Sequence, residues 1–280
     1  CKAFEIMAYG LAEMPGAPLK QALLDAGIGT DIDVDFCDIL RQSYFALTTQ
    51  NAKAGDRQRF YDTIHSTLQE QVKQALYELY PDIQFMGEEK DNSDIDFSGD
   101  VWILDPVDGT TNLIHDFRNS TLSLALARNG ILTFGIIYHP YSDEIFVAER
   151  QKGAWLNGNP ISVSSRGNFS ECLIPIGTSP YHRELAKENF KVFEKVFTDC
   201  ADIRRLGSAA LELAYVAAGR IDAYFERSLK PWDYAAGMLL VEEAGGKVTD
   251  YKGNPVDITG NSDIVAGSQT IGKILVRKYL

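Results

Sequence analysis

Two aspartates, three residues apart, carry the clearest chemical signal in the chain. The stretch W-I-L-D-P-V-D-G-T-T places Asp105 and Asp108 at the end of an apolar, strand-like run. Pro106 restricts the backbone between the two carboxylates, which can then share one or two hard cations. Gly109 has no Cβ, so the backbone N–H groups of Gly109 and Thr110 can approach an anion at a helix start. An ordinary turn would explain any two of these residues, whereas the whole string predicts a metal-phosphate site.

Other carboxylates lie far away in the chain. Glu88 follows a short strand-like run in G-E-E, and Asp233 lies where a helix is expected to begin in P-W-D-Y-A-A-G. If these two side chains converge with Asp105 and Asp108, one site can hold two or three magnesium ions. The serines and histidines form no triad, and the histidines are isolated in the sequence.

The spacing of apolar residues predicts the elements that position these carboxylates. A period near four predicts a helix over residues 58–80, ending at Pro81. Alternating polar and apolar residues predict strands over 120–128, 133–139 and 144–150. We expect these strands to form a largely antiparallel sheet.

The second half of the chain alternates strands with helices. Helices are predicted over residues 183–197, 208–218 and 234–244, with a last helix from Ile271. Short strands are predicted over 172–176 and 221–225, at Val248, over 256–258 and at Ile264 and Val265. This order indicates two layered α/β halves that meet at one cleft.

The composition limits the class of protein. The chain has 280 residues, 45% of them hydrophobic, and a formal net charge of -12, which disfavours nucleic acid or an anionic membrane as partner. Its four cysteines show no zinc or disulfide spacing. Because it also lacks a long apolar run and a secretory leader, we expect a cytoplasmic protein.

The motifs W-I-L-D-P-V-D-G-T-T-N and W-D-Y-A-A-G resemble the two signature segments of the inositol monophosphatase family, whose members are magnesium-dependent, lithium-sensitive phosphatases. The resemblance runs from about Tyr80 to the C-terminus and includes G-E-E and G-S-A-A. It implies an α/β fold, an αβαβα sandwich with two mixed or antiparallel sheets. The expected halves are 58–162, which carries the metal motifs, and 163–280, after an atypical N-terminal segment over 1–57.

The resemblance implies ligands for two magnesium ions. Glu88, Asp105 and the carbonyl of Val107 correspond to the ligands of the first ion. Asp105, Asp108 and Asp233 correspond to those of the second. The implied reaction is metal-assisted in-line hydrolysis, in which one cation lowers the pKa of its bound water and the other stabilises the departing alkoxide.

The same resemblance assigns residues to the substrate. Backbone amides of Gly109 and Thr110 correspond to the phosphate-binding groups, and Asp108 borders them. The Thr110 hydroxyl and Glu88 correspond to the pair that orients the attacking water. With Asp105, these two form the expected catalytic set.

The substrate alcohol is expected to contact a second segment. Residues Gly207, Ser208 and Ala209 correspond to the backbone that lines the pocket. Glu226, seven residues before Asp233, corresponds to a carboxylate that accepts hydrogen bonds from substrate hydroxyls. Alternatively, Glu226 only pairs with its neighbours Arg227 or Lys230.

One part of the family pattern is missing. The family has a Lys, then D-L-V-T, then an Asp that helps to hold a third magnesium ion. Aligned back from Pro81, this chain has R-F-Y-D and then His65 at that aspartate position. The third metal site is therefore an open expectation.

The leading hypothesis is a magnesium-dependent phosphomonoesterase that acts on inositol monophosphate or a related polyol or sugar phosphate. The alternatives in the same superfamily are a fructose-1,6-bisphosphatase, a histidinol-phosphate phosphatase and a 3'(2'),5'-bisphosphate nucleotidase. A further alternative is a catalytically impaired metal-binding interaction protein. The expected partner is a small phosphorylated substrate, and the resemblance implies a homodimer.

Overall fold

The computed structural model describes residue 14 and residues 16–37 and 44–280. Residues 1–13, 15 and 38–43 of the predicted N-terminal segment lie outside the described residues. The chain divides into two compact units, Cys1–Asp82 with Tyr141–Asp143, and Ile83–Pro140 with Glu144–Leu280. The halves predicted over 58–162 and 163–280 do not coincide with these units, and they stay a prediction.

Within the described residues, the first unit contains two α-helices and one antiparallel pair of strands. Its elements are α1 (Pro18–Asp25), the antiparallel strands β1 (Asp31–Cys37) and β2 (Tyr44–Gln50), and the long helix α2 (Arg57–Leu79). Leu23, Ile28 and Ile32 form its buried core. Helix α2 confirms the helix predicted over 58–80, because its apolar residues recur near the helical period.

The second unit begins with a seven-stranded sheet. In spatial order its strands are β3 (Gln84–Gly87), β4 (Asp100–Asp108), β5 (Thr121–Arg128), β6 (Ile131–His139), β7 (Glu144–Glu149), β8 (Gly153–Leu156) and β9 (Asn159–Pro160). Within this sheet only β3 and β4 pair in parallel. The predicted antiparallel sheet is confirmed, since alternating patterns suit strands that bury one face more than the other.

The remaining elements of this unit alternate as predicted. They are α3 (Thr110–Ile114), β10 (Leu173–Pro175), α4 (Ala186–Asp199), β11 (Asp202–Arg204), α5 (Ala209–Ala217), β12 (Ala223–Leu229), α6 (Pro231–Glu243), β13 (Lys247–Thr249), β14 (Ser262–Gly267) and α7 (Gln269–Lys278). The strand predicted over 256–258 is wrong: Val256 and Ile258 are buried, but in an irregular turn. The apolar residues at these positions reflect burial in the core and not strand pairing.

Helices α5 and α6 pack between two sheets. Their apolar residues share one core with the seven-stranded sheet and with the sheet β12-β14-β13. Helices α4 and α7 pack on a second core that includes Phe225 and Val265 of that smaller sheet. These layers confirm the predicted layered α/β class.

Small residues let helix α6 approach its neighbours closely. A Cβ at Gly237 would lie 2.5 Å from the Leu213 Cβ on α5, and a Cβ at Gly135 on β6 would lie 3.1 Å from the Ala236 carbonyl oxygen. This tight packing fixes the first turn of α6, where Asp233 lies. Among the described helices, none is both long and apolar enough to span a membrane.

Candidate metal and phosphate site

Three aspartates from distant parts of the chain meet at one point. Asp105, Asp108 and Asp233 each offer one carboxylate oxygen, and these three oxygens lie within 4.8 Å of one another. The first two lie at the end of β4, where the pairing with β5 shifts register between them. Asp233 lies in the first turn of α6. We call these three side chains the aspartate cluster.

Backbone groups orient two members of the cluster. The Val107 N–H donates to Asp105 Oδ1 over 2.9 Å, and the Lys230 N–H donates to Asp233 Oδ2 over 2.8 Å. Each bond fixes one oxygen of the carboxylate. The second oxygen of each group can then turn toward the middle of the cluster.

Asp108 is held by the start of helix α5. Its Oδ2 accepts a hydrogen bond of 2.6 Å from the Ser208 hydroxyl and one of 2.7 Å from the Ala210 N–H. Ser208 also caps α5, because its Oγ accepts from the Leu211 N–H. The segment predicted to line the substrate pocket is thus bonded directly to a predicted metal ligand.

Glu88 lies beside the cluster. It follows the end of β3, where Asn92 binds both backbone groups of Gly87, with distances of 3.1 Å to the N–H and 2.8 Å to the carbonyl. Its carboxyl group interacts with those of Asp105 and Asp108. Burial, the nearby Glu89 and Asp108 raise the pKa of Glu88 to about 7.

The carboxylates of the cluster are electrostatically unfavourable on their own. Burial, together with Glu88 and the other two aspartates, raises the pKa of Asp105 well above its usual value. Burial and Asp108 do the same for Asp233. For Asp108, burial raises the pKa to about 6, although Ser208 and Ala210 partly oppose the shift. Carboxylate oxygens crowded in this way match hard divalent cations, whose charge would offset the repulsion.

These shifts predict how stability depends on pH without metal. Because the native pKa values of Glu88 and Asp108 lie above their ordinary values of 4.5 and 3.8, the unfolded chain loses these protons first. The stability that the protonated groups contribute is complete below about pH 4 and is lost as the pH rises toward 7. We expect the melting temperature in EDTA to fall over this window relative to Asp105→Asn, in which one buried charge is absent. Parallel melting curves for the two proteins would contradict this expectation.

The predicted phosphate-binding turn lies next to the predicted substrate segment. Gly109 has a φ of +91°, and a Cβ there would lie 2.9 Å from the Asn119 carbonyl oxygen and 3.2 Å from that of Gly207. Only glycine fits both the conformation and the space. Thr110 begins α3, with its hydroxyl 3.4 Å from the Val107 carbonyl oxygen. Residues 107–110 and residues 207–208 are therefore in close contact.

A buried glutamate that was not among the predicted site residues holds the backbone of the predicted substrate segment. Glu212 Oε1 accepts from the Leu206 N–H over 2.7 Å and from the Gly207 N–H over 3.4 Å. The Asn112 side chain donates to the Leu206 carbonyl over 2.8 Å. Burial and the nearby Glu226 raise the pKa of Glu212 to about 8. Ala209, the third predicted pocket residue, is buried in the first turn of α5.

Glu226 pairs with neither of the basic residues considered from the sequence. It lies buried on β12, where Oε1 accepts from the Ser179 N–H over 2.7 Å and Oε2 accepts from the Tyr224 hydroxyl. A Cβ at Gly177 would collide with the Glu226 side chain, so the loop before Ser179 must approach closely. No sequence motif in this loop indicated that it would contact Glu226.

Two further side chains lie near the cluster. Arg205 interacts electrostatically with Asp108. Its neighbour Arg204 forms a salt bridge with Asp202 instead. Tyr181 is 85% exposed, yet its phenol interacts with Glu88 and with all three cluster aspartates. Neither side chain was among the site residues predicted from the sequence.

Comparison with known proteins identifies the family of the chain. The model of the inositol monophosphatase family matches residues 30–278, so the match begins upstream of Tyr80, where we expected it to start. An inositol-1-monophosphatase of Rhizobium meliloti is 39% identical over 204 residues, covering 73% of this chain and 76% of its own length. A Nus factor SuhB of Xylella fastidiosa is 39% identical over 219 residues, covering 77% and 78%.

A solved structure agrees with both sequence comparisons. The inositol monophosphatase from Anabaena has a TM-score of 0.73 at 35% identity, covering 80% of this chain and 88% of that one. The predictions of fold class and of a phosphatase are thereby confirmed. The chain belongs to the inositol monophosphatase family.

Proposed function

We propose that this phosphatase hydrolyses inositol monophosphate, or a similarly small polyol phosphate, with magnesium as its metal. The observation that carries the proposal is the aspartate cluster, with oxygens within 4.8 Å of one another, in a chain of a metal-dependent family. The proposed ligands are Glu88, Asp105, the Val107 carbonyl, Asp108 and Asp233. When bound there, magnesium supplies Lewis acidity toward phosphate and water.

The chain's own groups have separate proposed roles. The backbone N–H groups of Gly109 and Thr110 bind the phosphate oxygens. Glu88, which lies beside the aspartate cluster, would accept a proton from the attacking water. The Thr110 hydroxyl, near the Val107 carbonyl, helps to orient that water.

We propose two ions rather than three. His65, at the position of the family's third-site aspartate, is buried in α2. Burial lowers its pKa, although Asp62 opposes the shift, which favours the neutral imidazole. Magnesium prefers oxygen ligands, so His65 is a poor replacement for a carboxylate. Magnesium binding measured by calorimetry should therefore give two equivalents per chain with a phosphate analogue bound.

The substrate is tested with a panel of phosphomonoesters. Inositol monophosphate should give a higher kcat/KM than fructose 1,6-bisphosphate, histidinol phosphate or 3'-phosphoadenosine 5'-phosphate. Asp105→Asn protein, purified in parallel, serves to subtract any contaminating phosphatase. If one of the other three esters gave the higher kcat/KM, the proposed substrate would be wrong, and the substrate would belong to the class of that ester.

Glu226→Gln should weaken the preference for inositol phosphate. An ionised acceptor makes hydrogen bonds roughly twice as strong as a neutral one, so the amide should bind substrate hydroxyls less well. We expect KM for inositol monophosphate to rise about tenfold while turnover of an aryl phosphate changes by less than about twofold. Equal losses on both substrates would show that Glu226 is structural, since Ser179 and Tyr224 also depend on it.

Asp108→Ala should lower kcat/KM by at least about 100-fold, the scale for losing a group that stabilises transition-state charge. The truncation also leaves the Ser208 hydroxyl and the Ala210 N–H without their acceptor, at a cost of about 1–3 kcal/mol in stability. Asp108→Asn keeps an acceptor for these donors and serves as the folded control. Turnover like that of the unmodified protein in both variants would refute the assignment.

A second candidate function is association with other proteins. The relative from Xylella fastidiosa carries the name Nus factor, which favours a partner beyond the small substrate. Asp105→Asn separates the two roles, because it should stop turnover and leave binding of a protein partner unchanged. The predicted homodimer and cytoplasmic location are part of this proposal and would be checked by sedimentation and by fractionation.

A further inference from the structure

A cavity of about 260 Å³ lies between helix α7 and strand β13, and none of the candidate-site residues lines it. Four cationic side chains border it: Lys247 from β13, Lys252 from the following turn, and Lys273 and Arg277 from α7. No acidic residue is among its lining residues. We call it the lysine cavity.

The charge of the lysine cavity contrasts with that of the whole chain. The protein carries a formal net charge of -12, so four cations around one concavity reverse the sign locally. Within the described part of the chain, none of the four forms a salt bridge. Asp250 interacts with Lys252, but it also accepts hydrogen bonds from Asn254. The other three, Lys247, Lys273 and Arg277, are exposed and can reach a ligand.

The shape of the cavity suits a compact ligand. A Cβ added at Gly272 would meet nothing within 4 Å, so this glycine opens the wall that α7 contributes. Thr249, a mostly buried residue on β13, adds a hydroxyl to the lining. The volume lies just below the roughly 300–1,000 Å³ of clefts for drug-sized ligands.

We propose that the lysine cavity binds a compact, multiply charged phosphate compound, at a site separate from the catalytic one. Lysine ammonium groups bind phosphate as point charges and do not require a planar partner. Helix α7 begins at the rim, with Ser268 and Gln269 in the lining, and its N-terminal dipole adds to the attraction. The inference does not depend on the proposed substrate.

Calorimetric titration with pyrophosphate in EDTA tests the proposal. Without divalent metal, the aspartate cluster repels the anion, so the measured binding reports the lysine cavity. One equivalent should bind to the unmodified protein. Lys247→Gln combined with Lys273→Gln should weaken this binding by at least about tenfold, since two ammonium contacts are lost.

Three control proteins make the result specific. Lys191→Gln combined with Lys195→Gln removes two exposed charges from α4 and should leave binding unchanged. Asp105→Asn should also bind normally. Gly272→Leu fills the cavity with a better helix former and should abolish binding while the melting temperature is kept.

Any of four results would overturn the proposal. These are no binding by the unmodified protein, equal losses in the α4 control, clearly tighter binding in Asp105→Asn, where one source of repulsion in the aspartate cluster is gone, and normal binding by Gly272→Leu. The third would place the anion in the catalytic site. Because every measurement is made without metal and without turnover, failure here would leave the proposed phosphatase function untouched.

Discussion

Removal of divalent metal should reduce phosphate release from inositol monophosphate by at least about 1,000-fold, since a bound metal supplies several kcal/mol of transition-state stabilisation and each 1.36 kcal/mol is a factor of ten. Without a cation, the carboxyl groups of the aspartate cluster and Glu88 are crowded at the position where the phosphate group must bind. Some of them carry negative charge and others keep their protons, because their pKa values are raised. Substrate and cluster then repel each other. The measurement is release of inorganic phosphate in EDTA and after magnesium is added back.

Calcium provides a matched control for this experiment. It carries the same charge but prefers oxygen distances of 2.3–2.6 Å, against roughly 2.0–2.1 Å for magnesium. It should therefore restore thermal stability without restoring turnover. Phosphate release that is the same in EDTA as in magnesium would exclude a metal-dependent mechanism for this chain.

Asp105→Asn should lower kcat/KM by at least about 1,000-fold, because one proposed ligand of both metal ions loses its charge. Glu88, Asp108 and Asp233 all raise the pKa of Asp105, so its carboxyl group interacts with every other proposed carboxylate ligand. The amide oxygen of asparagine can still accept from the Val107 N–H, so the turn should keep its shape. Its NH₂ group would face the place of a cation.

The same substitution should raise stability in EDTA while it removes activity. One buried charge disappears, so the remaining carboxylates repel one another less. Glu194→Gln, an exposed change of equal charge on α4, should alter neither quantity. Retained turnover in Asp105→Asn would show that the cluster is not the catalytic metal site, and a variant less stable than the unmodified protein in EDTA would contradict the predicted gain in stability.

Features that depend on neighbouring residues were predictable from the sequence. The period of helix α2, the strands of the large sheet and the position of Asp105 and Asp108 at the end of β4 all appear in the structure as predicted. Hydrophobic periodicity and turn residues specify these elements locally. The family resemblance then indicated which carboxylates belong together, and the aspartate cluster agrees with that grouping.

Burial, electrostatics and contacts between distant segments needed the tertiary structure. The sequence by itself determined helix α2, the strands of the large sheet, the family and the identity of the candidate carboxylates. Only the folded chain bonds Ser208 to Asp108, places Glu212 beneath Gly207, buries Glu226 against Ser179 and gathers four cations around the lysine cavity. The physical reason is that desolvation and charge coupling depend on which surfaces pack together, and no local pattern of residues records that packing.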